Sequence, residues 1–167
     1  MTAVNHQATE TPGTHHDVNE GAVIAGAGPM ERVNRPRGAS YAPIPESLNL
    51  LSGRIIGCGI DVHKALGPGL LESAYECAFC VELVHEGLHF QRQVGCPVIY
   101  RGRAVGEYRL DLLVENEIVV EVKAVERFAP VYIAQVLTYL RATERRLGLI
   151  INFNVPVLRD GVRRVAL

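Results

Sequence analysis

Two neighbouring stretches of strict apolar alternation constrain this chain more than any other feature. Tyr108, Leu110, Leu112 and Val114 occupy even positions of one stretch, and Ile118, Val120 and Val122 occupy even positions of the next. A period of two marks a β-strand with one buried face, so both stretches turn these residues toward a common core. The connection Glu115-Asn116-Glu117 has hairpin length, with Asn116 suited to a left-handed backbone. It pairs Val114 with Ile118, Leu112 with Val120 and Leu110 with Val122. The odd positions are then fixed as well. Asp111 falls opposite Glu121 with Cβ atoms about 4.5–5.5 Å apart, and Lys123 lies one diagonal step from Asp111.

Two carboxylates at that spacing repel unless a cation, a shared proton or a basic partner compensates them. A hard divalent ion, Mg²⁺ or Mn²⁺, is the compensation that also brings chemistry, since it takes a few carboxylates and fills its remaining positions with water and phosphate. The plainer alternative is a solvated ladder in which Arg109 and Lys123 balance Asp111 and Glu121. Register alone leaves both open.

Around this pair the chain reads as alternating helices and strands. Leu51, Ile55, Ile56, Ile60 and Val62 recur at helical spacing over residues 47–66, and Gly67-Pro68-Gly69 stops that helix. A second helix is expected over 70–85, with Leu70, Ala74, Cys77, Val81 and Val84 on its packed face and Glu72, Glu76 and Glu82 turned away. Strands over 93–100, 104–114 and 118–124 form an antiparallel meander, the first two joined through Arg101-Gly102-Arg103. Pro130 opens a helix to about residue 143, residues 147–153 suit a buried strand, and Arg159-Asp160-Gly161 marks the turn of an edge hairpin. On the last long helix Gln135 and Tyr139 stand four residues apart on one face, an amide and a phenol able to orient a polymer backbone. Glu72 is a further acid that could project over the strands.

Composition sets the outer bounds. The 167 residues are 48% hydrophobic, enough for the core of one domain, and the formal charge of -1 excludes a globally basic surface. No apolar run reaches the roughly 18 residues of a membrane span, and Met1 to Glu10 lacks the pattern of a signal peptide, so a cytoplasmic protein without membrane attachment is expected. Residues 1–45, rich in Thr, His, Asn, Gly and Pro, read as a disordered leader, and residues 46–167 as the domain. Gly26-Ala27-Gly28 is no dinucleotide loop, because Glu31 stands at the third glycine position and no β-α-β unit follows. His6, His15 and His16 read as solvated. Cys58, Cys77, Cys80 and Cys96 sit among apolar neighbours as core thiols, and Cys77-x-x-Cys80 has no second pair at zinc spacing.

Gly69-Leu70-Leu71-Glu72-Ser73-Ala74-Tyr75 reads G-x-x-E-x-x-Y. With Asp111, Glu121-Val122-Lys123, Gln135-x-x-x-Tyr139 and the closing Leu149-Ile150-Ile151-Asn152-Phe153, the chain resembles the GxxExxY protein family, placed in the PD-(D/E)XK nuclease-like superfamily. The likeness runs from about Leu50 to Val165. It implies an α/β (α+β) restriction-endonuclease-like core, with helices flanking a mixed sheet in which a three-stranded antiparallel meander is followed by helix and strand. Carried over to the matching positions, it makes Asp111 and Glu121 metal ligands, with the Val122 carbonyl as a further donor, and Lys123 the catalytic lysine. Glu72 becomes the additional acid of catalysis and metal binding, and Gln135 with Tyr139 the substrate-binding pair. Tyr132 departs from the pattern, since related sequences often carry histidine there.

The function this implies is Mg²⁺- or Mn²⁺-dependent hydrolysis of phosphodiester bonds in DNA, with RNA the less favoured polymer. Arg92, Arg101, Arg103 and Arg109 are candidates for phosphate contact. The alternative is a catalytically silent module that binds nucleic acid or protein on the same fold, and a homodimer or an unidentified protein partner stays open. A binding module has no evident need for Lys123 beside two paired carboxylates.

Overall fold

The computed structural model describes residues 43–167. The expected leader, the Gly26-Ala27-Gly28 segment and His6, His15 and His16 lie outside the described residues. Two helices come first, α1 (Glu46–Leu66) and α2 (Glu72–His85), followed by the strands β1 (Phe90–Tyr100), β2 (Arg103–Val114) and β3 (Ile118–Lys123). Then come α3 (Pro130–Thr143), β4 (Leu147–Asn152), the single turn α4 (Leu158–Gly161) and β5 (Val162–Ala166). The strands form one mixed sheet in the order β1-β2-β3-β4-β5. β1, β2 and β3 make the antiparallel meander, β3 and β4 run parallel with α3 as their crossover, and β5 returns antiparallel along β4. The tail hairpin therefore exists, but its turn residues are wound into α4. Among the described residues no helix is long and apolar enough to cross a membrane.

Three layers result. α1 and α2 cover one face, burying Ile55, Val62, Tyr75, Phe79 and Leu83 against Leu112, Val120, Val122, Leu149 and Ile151. α3 covers the other, where Val136, Tyr139 and Leu140 meet Leu113, Val119 and Ile150. β3 and β4 are buried at every residue, as expected for the parallel centre of a sheet covered on both faces. The crossover is tight. A Cβ on Gly148 of β4 would stand 2.5 Å from Cγ1 of Val136, so only glycine lets α3 approach this closely.

Two expectations need correcting. The packed face of α2 is Tyr75, Glu76, Phe79, Cys80 and Leu83, whereas Leu70, Cys77, Val81 and Val84 are exposed. The apolar residues at the expected spacing are real, but the helix is rotated so that a second stripe meets the sheet. Cys77 is accordingly not a core thiol, unlike Cys58, Cys80 and Cys96. In β2 the even positions do not share one face. Leu112 and Val114 pack toward α1 and α2, while Leu110 joins Leu113 on the α3 side and Tyr108 lies edge-on to Tyr139 there, ring centroids 5.9 Å apart. Both strands of the β1–β2 pair turn over at Asp111 and its opposite residue Gln93, which has φ +50°. Register is preserved across this twist, with Arg92 opposite Leu112 on one side and Val94 opposite Leu110 on the other.

Candidate active site

The loop between α1 and α2 delivers the first acid. Gly69 has φ +105°, a conformation that side chains with a Cβ rarely tolerate, and it turns the chain into α2. Glu72 is the first residue of that helix. One turn on, the Tyr75 hydroxyl donates to the Gly67 carbonyl at 2.5 Å and accepts from the Leu70 amide at 3.1 Å, while its ring stacks on Phe153 at 4.6 Å. Tyr75 is fully buried and clamps the loop ahead of the acid. The spacing Gly69-x-x-Glu72-x-x-Tyr75 thus has a mechanical reason: turn, acid, anchor.

The second group comes from the place where β2 and β3 part. Their ladder pairs Val114 with Ile118, Leu113 with Val119 and Leu112 with Val120, and there it stops. The expected Leu110–Val122 pair does not form, because the Asp111 carboxylate takes the Val122 amide at 2.9 Å through Oδ2. No ladder pair joins Asp111 to Glu121, but the Asp111 carboxylate lies close enough to Glu121 to act on its charge. Glu121 is 2% exposed. Its Oε1 accepts from Nζ of Lys123 at 2.8 Å, and its Oε2 is buried with no hydrogen-bond partner among the described residues. The same ammonium donates to the Val122 carbonyl at 2.9 Å and lies 3.7 Å from Oε1 of Glu72, which is partly exposed. Asp111, Glu121, Lys123 and Glu72 therefore converge at the open end of the β2–β3 seam.

The electrostatics follow from this crowding. Burial, and then the neighbouring Asp111 carboxylate, push the Glu121 carboxyl up to about 7. Burial also raises Asp111, against the Val122 amide and Lys123, which favour its anion. Burial works against the charge on Lys123, but the bond to Glu121 and the surrounding carboxylates outweigh it and hold the ammonium above its ordinary range. An acid pair that repels and a cation that is firmly protonated are one arrangement seen from its two sides.

α3 contributes less exposed groups. Gln135 donates to the Tyr139 hydroxyl at 2.5 Å. Tyr139 is 1% exposed, and its hydroxyl is 3.4 Å from the Arg109 carbonyl, so the phenol anchors the amide from within the core. Burial raises Tyr139 and keeps it protonated as a donor. Tyr132, at the position where histidine was the pattern, sets its ring 5.7 Å from Nζ of Lys123 and roofs the ammonium.

Sequence reasoning missed three supports. Glu76 is buried and bound by Arg92 at 3.0 and 3.1 Å and by Gln93 at 3.2 Å, and Gln93 reaches on to Asp111 at 3.4 Å. Arg92 is therefore committed to Glu76 and leaves the set of free phosphate-contact candidates. Asn152 clasps the backbone just past Lys123 through both the amide and the carbonyl of Val125. A polar residue interrupting the otherwise apolar 147–153 run was the one signal available for it. Among the described residues no group of three or more histidines, cysteines or carboxylates is arranged to hold a metal ion.

A mixed five-stranded sheet flanked by helices, with two acids and a lysine where its strands diverge, defines a restriction-endonuclease-like α/β protein. The family model of the PD-(D/E)XK nuclease superfamily matches residues 49–165, which span Glu72, Asp111, Glu121, Lys123, Gln135 and Tyr139. The chain belongs to that superfamily. No curated protein and no solved structure matches it.

Proposed function

We propose that this chain is a Mg²⁺-dependent nuclease, with Mn²⁺ as a substitute, that hydrolyses phosphodiester bonds in DNA in preference to RNA. The observation that carries the reading is Glu121: a buried carboxylate with Lys123 on one oxygen, nothing on the other, and Asp111 beside it. An orphaned buried carboxylate oxygen is expensive unless a cation takes it up. Asp111, Glu121 and the Val122 carbonyl fit a small hard ion that keeps several waters, which explains why two carboxylates suffice where a full cage is absent. Glu72 adds an acid from the solvent side. When bound, such an ion supplies Lewis acidity toward a phosphoryl oxygen and a more acidic water.

The chain's own groups do the rest. Lys123, fixed by Glu121 and the Val122 carbonyl and roofed by Tyr132, presents a charged donor to the attacking water and to the negative charge that grows on the phosphoryl oxygens. Gln135, steadied by the buried Tyr139 hydroxyl, offers its amide to the strand being cut. Glu72 stands at the mouth, 3.7 Å from the Lys123 ammonium, where a carboxylate can help move a proton from the attacking water.

Purified protein incubated with linear, circular and single-stranded DNA and with RNA, in Mg²⁺ or Mn²⁺, is expected to cut DNA. Asp111→Ala and Lys123→Ala are each expected to lower the rate by about 10²-fold or more. Equal cleavage by parent and both variants would trace the activity to a contaminant and remove the assignment. Calorimetric titration with Mg²⁺ provides a separate reading, with binding expected for the parent and lost in Glu121→Ala.

A further inference from the structure

Beyond Asp111 the β1–β2 pair leaves the sheet. Of β2, β3 pairs only with Leu112, Leu113 and Val114, so among the described residues β2 from Arg103 to Asp111 has no strand neighbour on that side and β1 is the sheet's outer strand. The result is a two-stranded ribbon closed by Arg101 and Gly102, both at positive φ as a two-residue hairpin turn requires. One face of its base, Val94, Cys96, Tyr108 and Leu110, rests on the α3 side. The remainder is open: residues 101–109 are all exposed, and Tyr100 is 52% exposed.

The charge on this ribbon is one-sided, although acids and bases balance from residue 46 onward. Three of its four charged side chains between Val94 and Leu110 are Arg101, Arg103 and Arg109. None of the three forms an ion pair among the described residues. The one acid, Glu107, folds its carboxylate over Gly95, where the missing side chain makes room. Charges on an unpaired strand edge, basic ones especially, also stop it pairing with another chain. Arginines without carboxylates ask for an anion.

Position decides which anion. Arg109 precedes Asp111 by two residues, about 7 Å along the strand, and Arg103 precedes it by eight, about 26 Å. The arginines thus form a line that ends at the candidate active site. A two-stranded ribbon is of a width that enters the major groove of B-form DNA, about 12 Å across, whereas the deep narrow major groove of A-form RNA does not admit it. We propose that the β1–β2 ribbon is a duplex-DNA grip, in which Arg101, Arg103 and Arg109 hold phosphates along the groove and lead one backbone to Asp111, Glu121 and Lys123. This takes its polymer from the nuclease reading above.

The test is binding without cutting. Fluorescence anisotropy of a labelled linear duplex, in chelator, compares the parent with the triple variant Arg101→Glu/Arg103→Glu/Arg109→Glu and with Arg101→Lys/Arg103→Lys/Arg109→Lys. All three positions are exposed, and circular dichroism melting verifies that each variant folds. The glutamate variant is expected to bind at least about tenfold more weakly, and the slope of log affinity against log salt to shrink by about 2–3, the value for three lost phosphate contacts. The lysine variant is expected to retain most of the affinity. Unchanged affinity and slope in the glutamate variant would overturn the grip, as would double-stranded RNA bound as tightly as DNA. The two proposals fail separately. Ribbon-dependent binding by a parent that cuts nothing leaves the grip standing and removes the nuclease. Cleavage with the same KM in parent and glutamate variant does the reverse.

Discussion

Glu121 lies inside the protein with Lys123 on one oxygen and, among the described residues, no partner on the other, and its protonation therefore records what surrounds it. Its carboxyl is held up at about 7 against an ordinary 4.5, by burial first and Asp111 second. Between those two values the folded chain keeps a proton that the unfolded chain has released, so stability falls as pH rises through the window and levels off above it. Asp111 is displaced in the same direction, while Lys123 titrates far above and Tyr139 is raised as well, so neither enters the window. In chelator-treated protein the melting temperature is thus expected to drop from about pH 5 to about pH 7.5. Glu121→Gln, which keeps the shape and abolishes the titration, is expected to make that fall shallower without erasing the share of Asp111. A fall of unchanged depth in the glutamine variant would assign the proton to another group. The closeness of Asp111 and Glu121 was legible from the short hairpin connection that pairs Val114 with Ile118, but the strict period of two was not a safe guide, since β2 turns over at Asp111. The role of Gln93 was not legible, since a polar residue with a left-handed backbone in mid-strand carries no local signature.

At the scale of elements, ends were easier to read than faces. Gly67-Pro68-Gly69 stops one helix and Pro130 starts another by backbone chemistry alone, and both boundaries fall where that chemistry puts them. α2 is different because it carries apolar residues on two sides. Leu70, Ala74, Cys77, Val81 and Val84 form one stripe and Tyr75, Phe79, Cys80 and Leu83 another, and periodicity alone cannot choose between them. What chooses is tertiary: Phe79 and Tyr75 meet Phe153, and Glu76 meets Arg92 and Gln93 from β1. The choice has a measurable consequence. Phe79→Ala empties a fully buried site and is expected to lower unfolding stability by about 3–5 kcal/mol in urea titration. Val81→Ala, at a position 67% exposed, is expected to stay within about 0.5 kcal/mol. The reverse order would restore the stripe that the sequence suggested. The twist at Asp111 was hidden for a related reason, because Leu110 and Leu112 are both apolar and both even, yet they serve opposite faces of the sheet.

For the whole molecule, the two apolar clusters divide the labour of one domain. The layer beneath α1 and α2 carries Tyr75 and the loop that delivers Glu72, and the layer beneath α3 carries Tyr139 and Gln135. Asp111, Glu121 and Lys123 lie between them on the sheet, so the site exists only when both layers are packed. Among the described residues every buried side chain of either cluster comes from Leu48 onward, with Ile44 packed at the margin, and the family match starts at residue 49. We therefore propose that the folding unit begins close to residue 46 and that residues 1–42 are dispensable for it. A chain starting at residue 43 retains Ile44 and the Pro43 carbonyl that Arg146 contacts at 3.4 Å. Since it keeps every core side chain named above, it is expected to unfold in a single cooperative transition within about 2 °C of the full chain. Its DNA cleavage rate is expected to match as well, because no group assigned to the site is removed. A broadened transition or a fall of many degrees would show that the first 42 residues belong to the packed structure, and the boundary would then move toward the N-terminus.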